Sequence, residues 1–413
     1  MNDLTTLWRM AKYENGFAFK PGHFSTTGLP VVRIRQLINP AADMDRCEGP
    51  VPPRYRIESG DLIFSWSGSL AVRIWNRGPA WLNQHLFKVI PNPGVEKKWL
   101  QWVLQASIPR FEGLMHGSAM THLNLDMLKL LKYQLPEAAE QRRITEFLDA
   151  ETARIDSLMH ARKLQQRLLA ERRVALRNDC VTFDGPRKIR HPLLGYIHPD
   201  WKVQPLRRAL PAINVGVVIN PSHFFTDSGV PFLHGFNVRE GWINPVGLKF
   251  MSPESNDLHK RSKVFAGDVL VVRAGATAGR SAKVGEEFDG TNCASVLILR
   301  KSNTLDSAFL ETFINSVAGK GQVSFSQYGA AQEVISAGQV SSFLIALPSL
   351  VEQRARVAEL NVATAGTVDL ESRLTRQVDL LAERRQALIT AAVTGQFDVS
   401  TASGRNVTDG VSA

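Results

Sequence analysis

Catalysis and metal binding need particular side chains at particular spacings, so the histidines, cysteines, carboxylates and glycine clusters are read first. The three cysteines, Cys47, Cys180 and Cys293, lie far apart. With no CxxC pair they suggest neither a zinc site nor a disulfide framework, and they fit a reducing compartment. The ten histidines contain no HExxH spacing, and no GxSxG elbow occurs. A phosphate-wrapping GxxxxGK[ST] loop is also missing; the nearest stretch, Gly319-Lys320-Gly321, lacks its flanking pattern. Gly275-Ala276-Thr277-Ala278-Gly279 is too short for a dinucleotide or S-adenosylmethionine fingerprint and reads as a structural turn. The amino-methyltransferase tetrapeptide (Asn or Asp, two prolines, an aromatic) is not supplied by Val51-Pro52-Pro53-Arg54-Tyr55. Glu140, Glu146, Glu151, Glu352 and Glu371 lie among basic residues and read as solvated i,i+4 partners. None of the common catalytic or metal-ligating sets is present, which makes catalysis the minority reading.

At 413 residues the chain exceeds one hydrophobic core, so two or more domains are expected. An apolar fraction of 44% suffices for packed domains and excludes disorder. Lys plus Arg exceed Asp plus Glu by 49 to 39, a net charge of +10, which suits an anionic partner such as nucleic acid. The N-terminus has no apolar signal region, and no run of 18 apolar residues occurs, so a soluble, unprocessed cytoplasmic protein is expected.

An internal repeat organises the chain. LLAERRVAL from Leu168 returns as LLAERRQAL from Leu380, with one change in nine positions. LPEAAEQRR from Leu135 returns as LPSLVEQRA from Leu347, at the same offset of 212. SGDLIFSWSG (Ser59 to Gly68) pairs with AGDVLVVRAG (Ala266 to Gly275), and GSAMTHLN from Gly117 with GAAQEVIS from Gly329. Four words in one order at nearly constant spacing mark a tandem duplication.

Each half opens with short β-like runs broken by Gly, Pro and Asn. These are Val31–Leu37, Asp61–Trp66 and His85–Ile90, then Val230–Leu233, Asp268–Val272 and Ser295–Leu299. Lys98–Ala106 and Ala308–Val317 read as short helices. The turns Gly60-Asp61 and Gly267-Asp268 read as structural entries to strands. Each half closes on a long helix. No Pro or Gly occurs from Glu137 to about Asn178, and Leu148, Ile155, Leu169 and Leu176 recur every seven residues, with Arg162 interrupting. Leu360, Leu374, Leu381 and Leu388 repeat the stripe with Thr367 as the odd member, and Gly366 threatens that helix's continuity. Pro136 and Pro348 stand where a helix start tolerates a missing N–H. Forty helical residues span about 60 Å at 1.5 Å per residue. The expected fold is mixed α/β (α+β): two globular domains separated by two long antiparallel helices that form a coiled coil, in a pseudo-twofold tandem repeat. The boundaries are 1–136, first domain; 137–183, first helix; 184–347, second domain; 348–398, second helix; 399–413, a polar tail expected to be disordered.

Two globular domains, each followed by an EQR-initiated long helix, resemble the specificity (S) subunit of type I restriction–modification systems. The resemblance covers essentially the whole chain, on the words NGFAFKPGHF from Asn15, LPVVRIRQL from Leu29, SGDLIFSWSG, LNQHLFKV from Leu82, LPEAAEQRRITEFLDAETARID from Leu135 and the doubled LLAERR. One departure is the start of the first module: HPDWKVQPLRR from His198 opens the second, whereas the first keeps only Thr6-Leu7-Trp8, a shortened or divergent N-terminus. The resemblance implies a DNA-binding target-recognition subunit that is no enzyme itself. Two modification (methyltransferase) subunits and restriction (translocase/nuclease) subunits would be its partners. S-adenosylmethionine, ATP and Mg would sit on those partners, with no cofactor on this chain and no membrane association.

For that role the expected readers of base edges in double-stranded DNA are Arg33, Arg35, Gln36, Ser65, Ser67, Arg73, Gln84 and His85 in the first domain. In the second they are His234, Asn237, Arg239, Arg273, Thr277, Arg280 and Asn292. Each also has the plainer reading of a phosphate contact or an ordinary surface residue. Trp66 and Trp75 read as core before they read as wedges. An antiparallel helix spacer would act as a ruler between two different half-sites, about one helical turn (roughly 34–36 Å) apart. The basic flank Arg162, Lys163, Arg167, Arg172, Arg173 and Arg177 reads as a solvated face, part of it available to partners or gap phosphates. A coiled-coil protein-binding scaffold and a fused restriction–methylation enzyme are the rival readings; the first lacks the family words, the second needs methyltransferase motifs.

Overall fold

The computed structural model describes residues 4–116, 122–218, 221–327 and 334–399. The repeated words from Gly117 and from Gly329 lie largely outside these residues, as does the tail beyond Val399. The chain divides into two compact units, Met1–Leu164 with Leu374–Ala413, and Gln165–Arg373.

In the first unit, strands Ala11–Asn15, Leu86–Pro91, Leu62–Ser65 and Val72–Ile74 form an antiparallel sheet in that order. A second sheet runs Arg46–Cys47, Leu29–Val32, Ala80–Leu82, Arg56–Ile57, and its central pair is parallel. Strand Leu4–Thr6 pairs antiparallel with Lys132–Gln134 just before the long helix. The second unit repeats the plan. Strands Ile213–Val215, Val296–Leu299, Val269–Val272 and Ser281–Lys283 form the equivalent antiparallel sheet. Val230–His234 and Asn292–Ala294 form the parallel pair, and Lys202–Pro205 with Leu344–Leu347 the ribbon before the helix.

The central strands Leu62–Ser65 and Val269–Val272 are buried at every position. Strands covered on both faces read as continuous apolar runs, which is why LIF and VLVV were legible. Each enters from a glycine in the left-handed region, Gly60 at φ 96° and Gly267 at φ 91°. The following aspartate closes the turn: Asp61 accepts from the Glu58 N–H at 2.8 Å, and Asp268 from the Phe265 N–H at 2.9 Å. Asp61 then meets the Lys88 ammonium at 2.8 Å and Asp268 the Arg300 guanidinium at 2.6 Å. The GD turns are structural in both halves.

The run Val31–Leu37 is not one strand. It breaks after Val32 into a short helix, Ile34–Ile38, because the Gln36 side chain accepts from the Arg33 N–H at 3.0 Å and caps the turn. The helices around Lys98–Ala106 and Ala308–Val317 run Lys97–His116 and Ser307–Asn315.

The first long helix is unbroken over 44 residues, Ala138–Val181. Its counterpart is two helices, Leu350–Thr364 and Thr367–Thr394, interrupted at Gly366, whose φ is +77°. A left-handed residue cannot continue a right-handed helix, so the single helix expected over 348–398 breaks there. In each unit the helices pair antiparallel. Ile144, Leu148 and Ile155 pack with Leu388, Ile389, Ala392 and Val393 in the first unit, where Phe147 meets Phe397 at 5.5 Å and Asp156 holds Arg385 at 2.9 Å. In the second, Arg173 pairs with Glu371 at 2.6 Å and Arg356 donates to the Thr182 carbonyl at 2.9 Å. Leu148, Ile155, Leu374 and Leu388 are buried, so the seven-residue stripe is a seam. Each such buried leucine or isoleucine contributes about 1.5–3 kcal/mol.

Candidate nucleic-acid interface

The two EQR words hold each helix pair to its β domain through one side chain. Gln141 is fully buried; its Oε1 accepts from the Glu96 N–H at 2.7 Å, and its Nε2 donates to Gly94 O at 2.8 Å and Pro136 O at 2.7 Å. Gln353 does the same in the second unit, with the Asp306 N–H at 2.8 Å, Thr304 O at 3.3 Å and Pro348 O at 3.0 Å. The neighbouring arginines reinforce it, Arg142 to Glu96 at 3.1 Å and Arg354 to Asp306 at 3.8 Å. The EQR signature marks this lock, and its role is not visible in the sequence because two of each glutamine's three partners lie 45 to 49 positions upstream.

Of the expected readers, five are buried. Gln36 and Asn237 are equivalent: each amide oxygen caps its own turn, Asn237 Oδ1 accepting from the His234 N–H at 3.0 Å, while Nδ2 donates to Asn244 O at 2.9 Å and Gln36 Nε2 to Asp43 O. Ser65 Oγ donates to Ser69 O at 2.9 Å. Asn292 donates to the Asn256 carbonyl and side chain, both at 2.8 Å, and accepts from Ser262 Oγ at 2.6 Å. Ser67 is buried against His85, its Oγ 2.8 Å from Nδ1. Buried polar groups must be paired, so these side chains hold the loops that carry the others.

The remaining ten keep exposed surface. Arg35 is open and meets Asp45 at 3.1 Å; Arg33 reaches the same carboxylate at 3.4 Å and lies over the Phe24 ring at 4.6 Å. Arg73 donates to Leu37 O at 3.0 Å. Gln84 and His85 are half-buried neighbours, with the Trp66 ring tilted at 42° to the His85 ring 5.8 Å away. In the second unit Arg273, Thr277 and Arg280 are half-buried on one turn, and Arg273 Nε donates to Ile335 O at 3.4 Å. Arg239 lies on the hairpin closed by its N–H to Trp242 O at 2.9 Å. His234 lies 5.3 Å from Phe236 with the rings nearly parallel; burial, and then the Lys249 ammonium, hold its pKa below the usual histidine value.

Not all of the long helix's basic flank is solvated. Arg173 takes Glu371, and Arg177 is mostly buried on Glu240 at 2.7 Å, where Lys320 also binds at 2.7 Å. Burial would raise the Glu240 pKa, but these two cations hold it below the usual carboxylate value. Glu311 beside them is pushed up to about 7 by burial, against the pull of Arg177. All three cysteines are free and buried. Among the described residues no helix is long and apolar enough to cross a membrane.

The chain thus carries the same β frame twice, each with exposed polar loops and each tied to a helix pair. Residues 53–166 match the family model of the type I restriction modification DNA specificity domain. The chain is 24% identical over 404 residues to the type I restriction enzyme EcoBI specificity subunit of Escherichia coli, covering 94% of this chain and 84% of that protein. It is 23% identical over 176 residues to the StySPI specificity subunit of Salmonella potsdam, covering 42% of this chain and 38% of that protein. In fold it is similar to a solved chain of a type I restriction–modification system, at TM-score 0.68 and 18% identity over 96% of this chain and 98% of that one. Over 94% of its length the chain is thus similar to a type I restriction–modification specificity subunit, and within it residues 53–166 match that family's DNA specificity domain.

Proposed function

We propose that the chain reads a bipartite, asymmetric target in double-stranded DNA and docks two methyltransferase subunits, with restriction subunits joining that core. The observation that carries this reading is a frame present twice with different polar residues on it. Two such readers recognise two different half-sites. The functional domains proposed are those of the sequence boundaries, target recognition over 1–136 and 184–347 and spacer helices over 137–183 and 348–398. Arg33, Arg35, Arg73, Gln84 and His85, and His234, Arg239, Arg273, Thr277 and Arg280, reach base edges or phosphates from their partly exposed positions. The solved chain of similar fold comes from an account of complex assembly in a type I system, which supports the docking of partners. S-adenosylmethionine, ATP and Mg belong to those partners, and the assembly works in the cytoplasm.

The paired helices set the length of unread DNA between half-sites. Deleting one heptad from both helices, with the chain expressed beside its methyltransferase, shortens the gap and leaves each half-site unchanged. Sequencing of modified adenines reads both at once; altered half-sites with an unaltered gap would refute the ruler.

A further inference from the structure

In each unit three strands end at one place. In the first, strand Leu29–Val32 ends at Arg33, strand Leu62–Ser65 ends at Trp66, and strand Leu86–Pro91 is entered from His85. Trp66 donates its N–H to His85 O at 3.2 Å, and Asn83 to Val32 O at 3.1 Å. In the second, His234 ends its strand opposite Ala294, Arg273 donates its N–H to Ser295 O at 3.1 Å, and Gly235 lies close enough that a Cβ there would stand 3.3 Å from that same oxygen. Matching backbone bonds fix the correspondence. Gly16 N–H to Leu86 O repeats as Gly216 to Val296, both near 3 Å, and Leu123 to Trp66 O at 2.7 Å repeats as Ile335 to Arg273 O at 2.8 Å. Thus Arg33 stands where His234 does, Trp66 where Arg273 does, and His85 where Ser295 does.

Scaffold positions of the two frames keep their chemistry: Asp61 and Asp268 close the turns, Gln36 and Asn237 cap them, and Gln141 and Gln353 lock the helices. The three strand ends keep their place and change their chemistry. Arginine becomes histidine, tryptophan becomes arginine, and histidine becomes serine. Ser295 carries a second mark. It is exposed while residues 291–294 and 296–299 are all buried, and at φ 62° it is the one non-glycine residue with positive φ among the described residues. Strain kept at an exposed position points to a placed side chain, since burial gains nothing there.

We infer that each reader chooses its bases at these strand ends: Arg33, Trp66 and His85 in one unit, and His234, Arg273 and Ser295 in the other. This rests on the DNA-reading function proposed above. The groups fit the task. A guanidinium forks onto guanine O6 and N7, imidazole and hydroxyl give or take single hydrogen bonds, and Trp66 offers an apolar face suited to a thymine methyl. Its indole N–H is already bound to Gln84 O at 3.0 Å and its ring packs against His85, Phe87 and His122, so only its exposed part is left for a base.

The test uses the full chain with its methyltransferase partner and sequences methylated adenines. Ser295→Gly adopts the positive φ without strain and so folds at least as well as the parent. It relaxes discrimination at one base of one half-site at least tenfold, leaving the other half-site and the gap unchanged. Arg33→Lys, which keeps the charge and loses the fork, does the same in the opposite half-site. Methylation by both variants at the wild-type motif would overturn the inference while leaving the proposed function standing. A partner that methylates the same sites with and without the wild-type chain would overturn the proposed function itself.

Discussion

Replacing Gln353 by leucine keeps the volume of a fully buried side chain and removes three hydrogen bonds. The Asp306 N–H loses its acceptor at 2.8 Å, and the carbonyls of Pro348 and Thr304 lose donors at 3.0 and 3.3 Å. A buried group left unpaired costs about 1–3 kcal/mol. The N–H has no second way out, whereas a carbonyl tolerates the loss better and the 3.3 Å bond is the weakest. The expected destabilisation of the Gln165–Arg373 unit is about 3–5 kcal/mol, a fall in Tm of roughly 6–20 °C for a unit of this size. Gln141→Leu should cost the first unit as much or more, because its three bonds are 2.7–2.8 Å long. Urea unfolding followed by circular dichroism gives the magnitude. Amide exchange at Asp306 and Glu96 tests the mechanism, since each should lose protection in its own variant only. A cost below about 1 kcal/mol in both variants would refute the lock.

Two further outcomes follow from the charges. Glu311 titrates near 7 in the folded chain against about 4.5 unfolded, so the folded state binds the extra proton. Its penalty is absent below the unfolded value, grows as pH rises through the window between them, and is full above 7, at most about 3 kcal/mol. Glu311→Gln is therefore expected to stabilise the unit at pH 8 and to change little at pH 5; urea midpoints at the two pH values check it, and equal effects at both would refute the assignment. DNA affinity should fall linearly on a log–log plot against salt, with the slope reduced by about one in Arg239→Ala or Arg280→Ala where that side chain holds a phosphate. Titration with a target duplex measures it, and salt-independent binding would contradict the electrostatic reading.

Features set by local pattern are legible in the sequence, and features set by distant partners are not. The buried strands Leu62–Ser65 and Val269–Val272 were visible as apolar runs, and the seam of Leu148, Ile155, Leu374 and Leu388 as a seven-residue period, since burial writes its periodicity directly into the chain. The candidate readers were only partly legible. Glutamine, asparagine and serine serve base recognition and turn capping equally well by type, and Gln36, Ser65, Asn237 and Asn292 have their polar atoms bound within their own folds. Nothing in the sequence sets Ser295 apart, because TNCASVLIL reads as an ordinary strand.

What the sequence by itself determined is the duplication, the order of strands and helices within each copy, and the absence of the common catalytic motifs. All of these are properties of local pattern. Tertiary structure alone decided which polar residue closes a turn and which faces out, that Gly366 divides the second long helix, and that Gln141 and Gln353 clamp loops far upstream. The physical reason is that a hydrogen bond needs its partner in space: residue type does not say whether a side chain will bond its own turn, as Gln36 and Asn237 do, or a loop far upstream, as Gln141 and Gln353 do.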